Sequence, residues 1–176
     1  MQETGKLSFV KSVLPLDPLL FEISRTTYLE NYLHLWEDEG ESYLNRFYSQ
    51  ENFLRELQMP LLSYYITYVD HIPVGFFKIN KVDAPDGIAG SLEIDKLYIL
   101  KKFTGRQLGS EVLQHIEDLA MCEGYKQISL QVMDSSRAKF FYLKNGYSQV
   151  SEMRLTYPYM KADLNLILTL QKVLNN

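Results

Sequence analysis

The sequence predicts one mixed α/β domain that spans residues 1–176 and has a single sheet at its centre. A chain of 176 residues can form one full hydrophobic core but not two comfortable ones. No repeat, low-complexity tract or linker divides the chain. Strand and helix patterns follow one another in the order strand, two helices, three strands, helix, strand, helix and two strands.

The first half of the chain contains the predicted first strand, two helices and a hairpin. Residues 7–13, "LSFVKSV", have the pattern of a strand. A helix is predicted from Asp17 to about Trp36 because its apolar residues recur at helical spacing. A second helix follows, with Ser49 as the N-cap of "QENFLRELQ". Residues 63–82 are predicted to form two strands joined by a tight turn near Asp70.

The second half begins with a loop, which the Pro and Gly content predicts over residues 83–90. A strand then leads into a helix from about Gly109 to Glu123, and Gly124 suits the position after the end of that helix. The remaining predicted elements are a strand, a short helix and two strands, at 126–133, 135–147, 147–155 and 163–172.

Composition excludes several classes of protein. The formal net charge of −4 argues against a nucleic-acid partner. The apolar runs are far shorter than the roughly 18 residues that a membrane span needs, and the first residues lack the apolar region of a secretory signal. The single cysteine, Cys122, cannot form an internal disulfide and is expected to be buried. We therefore expect a cytoplasmic protein, and the scattered histidines predict no metal site.

An irregularity in the strand at residues 92–99 indicates a β-bulge. Leu92 and Ile94 place apolar groups at even positions, whereas Leu97 and Ile99 place them at odd positions. Because side chains alternate along a strand, this change of parity predicts one inserted residue near Asp95. Such a bulge separates the strand from its neighbour and leaves backbone groups free to bind an extended ligand that contains amides.

A glycine-containing turn, "TGRQLG" at residues 104–109, joins that strand to the next helix. Backbone N–H groups at a helix N-terminus favour anions, and Lys101, Lys102 and Arg106 add positive charge beside them. The combination suits a phosphate-bearing ligand with an amide-rich arm, which is the shape of coenzyme A. A simple capping turn with solvated lysines is the alternative.

Two segments of the sequence together resemble the GNAT-type N-acetyltransferases. The first is the strand ending "LYI" with its turn, which resembles the family's acetyl-CoA loop, Q/R-x-x-G-x-G/A. The second is "SSRAKFFYLKNGY" at 135–147, which resembles N-x-R-A-x-x-F-Y-x-K-x-G-F. The resemblance covers most of the chain and is strongest from 92 to 150. It implies a mixed, mostly antiparallel central sheet flanked by helices, with a bulged, splayed strand that holds acetyl-CoA.

The sequence departs from the family pattern at three positions. Thr104 replaces the usual Gln or Arg, Gln107 replaces a Gly, and Ser135 replaces the usual Asn, whereas Gly109 matches. A side chain at position 107 can be tolerated if its φ is negative, because mainly the backbone N–H reaches the phosphate. The alternative is that this side chain crowds the pyrophosphate.

The resemblance implies a cofactor site along the strand, the loop and the second motif. The backbone of Leu97 and Ile99 would bind pantetheine, and residues 104–110 would surround the pyrophosphate. The implied contacts to acetyl-CoA are Leu97, Tyr98, Ile99, Thr104, Gly105, Arg106, Gln107, Leu108, Gly109, Ser110, Ser135 and Lys144.

The resemblance also implies an acid and a base. Tyr142 would protonate the departing thiolate, since its hydroxyl is a donor with a reference pKa near ~10, above that of a thiol. Glu93 would accept the proton of the amine directly or through water, and Asp95 is the second candidate. The alternatives are that Tyr142 is a core residue and that both carboxylates are solvated.

The predicted activity is acetyl transfer from acetyl-CoA to a primary amine by direct attack. Residues 28–43 combine aromatic and acidic side chains, which would suit a cationic acceptor. The first helix and the ending "KADLNLILTL" resemble the bacterial polyamine-acetylating branch, which favours spermidine or spermine. Aminoacyl, peptide N-terminal and aminoglycoside amines are the other possible acceptors.

A non-catalytic acyl-CoA-binding module and a plain interaction domain are the alternative functions. Two copies of the chain could pair through the last strands.

Overall fold

The computed structural model describes residues 5–82 and 90–174 of the chain. Within these ranges, seven strands form one sheet in the order β1-β2-β3-β4-β5-β7-β6. The strands are β1 Leu7–Ser12, β2 Leu62–Val69, β3 Ile72–Val82, β4 Ser91–Ile99, β5 Gln127–Met133, β6 Ser148–Arg154 and β7 Leu166–Val173. All neighbouring strands are antiparallel except β4 and β5, which are parallel. The predicted mixed, mostly antiparallel sheet is therefore confirmed.

Helices cover both faces of this sheet. The helices are α1 Pro18–Tyr32, α2 Glu41–Phe47, α3 Gln50–Leu57, α4 Leu108–Cys122 and α5 Ala138–Lys144. Buried residues of α1, α2 and α3 pack on Tyr64, Ile66 and Phe76 on one face. The apolar side of α4 and Tyr142 of α5 pack on Phe77 and other residues of the opposite face. The order of elements agrees with the prediction, except that three helices rather than two separate β1 from β2.

Local signals in the sequence explain where the helices begin and end. Asp17 caps α1 by accepting a hydrogen bond from the N–H of Leu19, and Ser49 caps α3 in the same way. The first helix ends at Tyr32, earlier than predicted, and continues as a short 3-10 turn. Cys122, which was expected to be buried, is exposed at the end of α4.

The predicted hairpin is present, and Asp70 and His71 both have a positive φ in its turn. Most of the loop predicted over 83–90 lies outside the described residues. None of the helices in the described part of the chain is long and apolar enough to cross a membrane.

The predicted β-bulge is confirmed at Asp95. Lys78 of β3 pairs with Lys96 of β4, and the next residue of β3, Ile79, pairs with Ile94. Asp95 is therefore the inserted residue. Because of this insertion, the even positions before Asp95 and the odd positions after it lie on the same face of the sheet, as the sequence predicted.

Candidate active site

A groove runs along the free edge of β4. The parallel pairing with β5 covers Ser91 to Ile94, whereas β4 continues along β3 as far as Ile99. The groove beside this edge has a volume of about 480 Å³. Its lining comes from the end of α1, the β4 edge, the turn before α4 and the start of α5, and includes Glu30, Tyr32, His34, Leu97, Tyr98, Ile99, Lys101, Thr104, Gly109, Ser135, Arg137, Phe141 and Tyr142. Its length and its unpaired backbone suit an extended ligand that contains amides.

The N-terminus of α4 opens at one end of the groove. Gly105 and Gln107 in the preceding turn both have a positive φ, of 80° and 62°. The condition under which a side chain at position 107 would be tolerated, a negative φ, is therefore not met, and Gln107 has a left-handed conformation that glycine adopts without strain. Gln107 is the N-cap of α4 and makes no side-chain capping hydrogen bond, so the first N–H groups of the helix remain available to an anion.

Replacing Gln107 with Gly should stabilise the protein. Removing the side chain relieves about 1 kcal/mol of left-handed strain, which corresponds to a rise in Tm of about 3 °C. Gly105→Ala is the matched control, because a Cβ at Gly105 has no atom within 4 Å and only its φ of +80° opposes the change. Calorimetry should therefore show opposite shifts for the two variants. A lower Tm for Gln107→Gly would contradict this account of the turn.

The other predicted cofactor residues occupy different environments. Leu97, Tyr98, Ile99, Thr104, Gly109 and Ser135 line the groove. Gly105, Arg106, Gln107 and Ser110 are exposed around the start of α4. Leu108 is buried in the core, and Lys144 is exposed in the last turn of α5, outside the lining of the groove. The side chains of Leu108 and Lys144 are therefore not placed in the groove.

An aromatic pocket of about 230 Å³ lies next to the groove. Its walls include six tyrosines and a tryptophan, namely Tyr28, Tyr32, Trp36, Tyr43, Tyr98, Tyr142 and Tyr157. The Trp36 Nε1–H donates a hydrogen bond of 2.8 Å to the Tyr28 hydroxyl, which holds two of these rings in place. The groove and the pocket share Tyr32, Leu97, Tyr98, Ala138 and Tyr142, so the two cavities meet at these residues.

Tyr142 is buried at this junction. Its ring packs edge-on against Phe141 and Tyr147, with ring centres 5.0 and 5.6 Å away. Burial, and to a smaller extent the nearby Tyr32, raises the pKa of Tyr142 well above its usual value. The hydroxyl is therefore protonated at neutral pH and can donate a hydrogen bond into the junction.

The segment between β6 and β7 forms a roof over the aromatic pocket and is tied to the residues that follow α1. Trp36 and Met160 form an isolated antiparallel bridge. The N–H of Glu37 donates to the carbonyl of Tyr159 at 2.8 Å, and the N–H of Lys161 donates to the carbonyl of Leu35 at 2.9 Å. These backbone bonds hold Met160 and its neighbours over the pocket.

The two candidate bases have different surroundings. Glu93 is half-buried, accepts a hydrogen bond of 3.2 Å from Asn80 Nδ2, and lies outside the lining of both cavities. Asp95 lines the aromatic pocket. Burial opposes ionisation of Asp95, but the ammonium groups of Lys96 and Lys78 outweigh it and hold the pKa of this carboxyl below its usual value.

Four charged side chains form a network beneath the pocket. Lys78 is only 4% exposed and contacts the carboxylates of Glu56, at 3.0 Å, and Asp95. The hydroxyl of Tyr64 donates to Glu56. Lys96 lies 3.4 Å from Asp95 and lines the pocket. A lysine this deeply buried is stable only because two carboxylates surround it.

The acidic residues expected near the acceptor lie elsewhere. Glu37, Glu39 and Glu41 are exposed and do not line the pocket. Asp38 caps the following turn by accepting hydrogen bonds from the N–H groups of Gly40 and Ser42. The aromatic half of the predicted acceptor region therefore reaches the pocket and the acidic half does not.

Comparison with known proteins decides the family. The pattern that defines the acetyltransferase (GNAT) family matches residues 20–147, which is most of the chain. This chain belongs to the GNAT acetyltransferase family. The predicted enzyme class and acetyl donor are confirmed with it, because the family transfers acetyl groups from acetyl-CoA.

The acetyltransferase has relatives of known sequence and structure. It is 26% identical over 134 residues to a spermidine N(1)-acetyltransferase from Thermoplasma acidophilum, covering 73% of this chain and 80% of that protein. Its fold is similar to that of the PaiA N-acetyltransferase from Thermoplasma acidophilum in complex with coenzyme A, with a TM-score of 0.74, 20% identity and coverage of 96% and 99%. It is also similar to a GNAT acetyltransferase from Elizabethkingia anophelis with acetyl-CoA bound, with a TM-score of 0.63, 14% identity and coverage of 96% and 98%.

Sequence reasoning missed several residues around the aromatic pocket of the acetyltransferase. Lys96 and Lys78 were not expected beneath it, although a lysine inside the apolar run "VGFFKIN" was an available signal. Tyr157 and Met160 reach the pocket through long-range packing that no local pattern announces. Across the described ranges, no cluster of His, Cys, Asp and Glu side chains has the arrangement of a metal site.

Proposed function

We propose that this acetyltransferase binds acetyl-CoA in the β4 groove and transfers the acetyl group to a primary amine bound in the aromatic pocket. The observation that carries the proposal is the junction of the two cavities, where Tyr142 and Tyr98 line both. A non-catalytic acyl-CoA-binding module would need the groove alone. The adjoining pocket, with a protonated tyrosine at its entrance, favours the enzyme.

The residues of the groove fit coenzyme A. In the proposal, the unpaired backbone of Leu97 and Ile99 binds the amides of pantetheine, as a neighbouring strand would. The N–H groups at the start of α4, with Lys101 and Arg106 nearby, bind the pyrophosphate. Acetyl-CoA supplies the thioester whose acetyl group is transferred.

Tyr142 is the proposed acid. Its raised pKa keeps the hydroxyl protonated, so that it can donate to the sulfur as the C–S bond breaks. Burial that raises the pKa of a phenol also raises the pKa of a thiol beside it, so the tyrosine hydroxyl can still pass its proton to the departing thiolate.

Glu93 is the proposed base, acting through water because its side chain lies outside the pocket lining. It follows Leu92 and precedes Ile94, which face α4, so its side chain points toward the opposite face, where Asn80 contacts it. Asp95 is less suited to this role, because two ammonium groups lower its pKa and weaken it as a base.

A polyamine is one acceptor to test. The spermidine N(1)-acetyltransferase relative supports it, and so do the aromatic walls, which suit ammonium groups.

The predicted pairing of two copies through the last strands has a free sheet edge available, since β6 ends the sheet and all of its residues are exposed. The cytoplasmic location stays a prediction.

Acetyl-CoA should stabilise the protein by mass action. At a concentration 100 times Kd the expected gain is about 2.7 kcal/mol, or a rise in Tm of roughly 5–10 °C. A primary amine should then release free thiol from the complex, which a thiol-reactive dye measures. A binding module would show the rise in Tm without thiol release. An unchanged Tm at millimolar acetyl-CoA would contradict both functions.

A further inference from the structure

The ammonium of Lys96 has fewer hydrogen-bond and ion-pair partners than the neighbouring charged groups of the network. Lys78 contacts two carboxylates, and Glu56 also accepts from Tyr64. Lys96 is 17% exposed, and its one ion pair among residues 5–82 and 90–174 is with the adjacent Asp95, at the long distance of 3.4 Å. An ammonium has three donors, so Lys96 retains donor capacity toward the pocket that it lines.

The aromatic residues around Lys96 do not use this capacity. Its Nζ lies 5.8 Å from the ring centre of Tyr48. The Tyr48 hydroxyl is buried and has no hydrogen-bond partner among the described residues, so it does not accept from Lys96. Tyr48 packs against Tyr28, with ring centres 4.8 Å apart, and Tyr28 lines the pocket. Among the described residues, the buried Tyr48 hydroxyl therefore has no acceptor, and the three donors of Lys96 share one long contact to Asp95.

The charges of the pocket lining favour an anion over a second cation. Among the described lining residues, Asp95 is the single carboxylate, and Lys78 and Lys96 both contact it. A second ammonium group of an acceptor would meet the like charge of Lys96 rather than a free carboxylate. A carboxylate would instead meet an ammonium with unused donors.

We propose that the acceptor is a primary amine that also carries a carboxylate, an amino acid in the broad sense, and that Lys96 binds this carboxylate. The proposal rests on the proposed function and names its substrate class. The amine lies toward Tyr142 at the junction, the carboxylate lies at Lys96, and the aromatic walls hold the carbon skeleton between them. Burial lowers the pKa of the Lys96 ammonium, so an anionic partner also offsets an existing cost.

The test compares amines that differ only in the carboxylate. The pairs are phenylalanine and phenethylamine, ornithine and putrescine, and 4-aminobutyrate and propylamine, with spermidine added. Thiol release from acetyl-CoA gives kcat and KM for each. We expect at least one carboxylated member to exceed its partner by about tenfold or more in kcat/KM, mainly through a lower KM, because a charged hydrogen bond contributes roughly 1.5–3 kcal/mol.

Variants of Lys96 connect this preference to the site. Lys96→Met should bring the ratio within the preferred pair close to one, and Lys96→Arg should keep part of it. Lys126→Met is the matched control, because Lys126 is exposed and lies outside the pocket lining. It should keep the full ratio. The rise in Tm with acetyl-CoA shows that each variant is folded.

The outcomes separate the two proposals. If phenethylamine, putrescine, propylamine or spermidine reacts as well as every carboxylated amine, the inference is overturned and acetyl transfer stands. The inference is also overturned if Lys96→Met still prefers the carboxylated amine as strongly as the wild type and Lys126→Met do. If no amine releases thiol although acetyl-CoA raises Tm, the proposed function and the inference both fail.

Discussion

Replacing Tyr142 with Phe is expected to lower kcat by about 10²–10³-fold while the Kd for acetyl-CoA changes less than about twofold. Phe retains the ring that packs on Phe141 and Tyr147, so the core and the groove keep their shape. Only the hydroxyl is lost, and a positioned general acid contributes on the order of 10²–10⁴ to a rate. Steady-state kinetics and calorimetric titration of acetyl-CoA measure the two quantities separately.

Tyr147→Phe is the matched control for this substitution. Tyr147 is also buried, and its hydroxyl donates a hydrogen bond of 3.2 Å to Glu117, away from both cavities. Its loss should lower stability by about 1 kcal/mol and leave kcat close to the wild-type value. If Tyr142→Phe kept its turnover number, or if both variants lost turnover equally, Tyr142 would have no part in the chemistry.

Replacing Lys78 with Met is expected to destabilise the protein by about 3–5 kcal/mol at pH 7. Met fills a similar volume, but the carboxylates of Glu56 and Asp95 then remain beneath the pocket without their shared partner. Lys81→Met is the control on the same strand. Its ion pair with Glu123, at 2.7 Å, joins side chains that are 30% and 32% exposed, so solvent screens it far more than the Lys78 network and its loss should cost less than about 1 kcal/mol. Urea unfolding measures both variants.

The pH dependence of this difference has a definite sign. The pKa of Asp95 is lower in the folded protein than in the unfolded chain, so Asp95 contributes stability above its unfolded pKa, near ~3.9. This contribution is lost as the pH falls through the folded pKa. Without Lys78, the pKa of Asp95 is lowered less, and protonation of the Asp95 carboxylate at low pH removes the negative charge that Lys78 no longer balances. The gap between wild type and Lys78→Met should therefore narrow below about pH 4. A gap that is constant from pH 7 to pH 3 would contradict this account.

The fold was predictable where local patterns decide the structure. The change of parity between Ile94 and Leu97 located the bulge, because strand alternation leaves no other way to bury both residues on one face. The caps at Asp17 and Ser49 set two helix starts through single side-chain hydrogen bonds. The order of elements followed from these local signals.

The aromatic pocket and the turn before α4 were less predictable because they depend on contacts between distant segments. The residues of 37–41 have the composition of an acidic binding site, yet Asp38 caps a turn and its acidic neighbours face solvent. The φ of Gln107 is set by the path of the chain into α4, against the preference of the side chain. The pairing of Lys78 with Glu56 joins β3 to α3, which no sequence spacing reveals.

The roof of the aromatic pocket is held by main-chain hydrogen bonds between two segments far apart in the sequence, with Trp36 paired with Met160. Main-chain pairing depends little on which side chains its residues carry. Substitutions at Tyr157 or Met160 can thus alter the shape of the cavity below without detaching its cover. Under the proposed function, a few mutations in this cover would therefore change acceptor preference while the groove beside β4 keeps its lining.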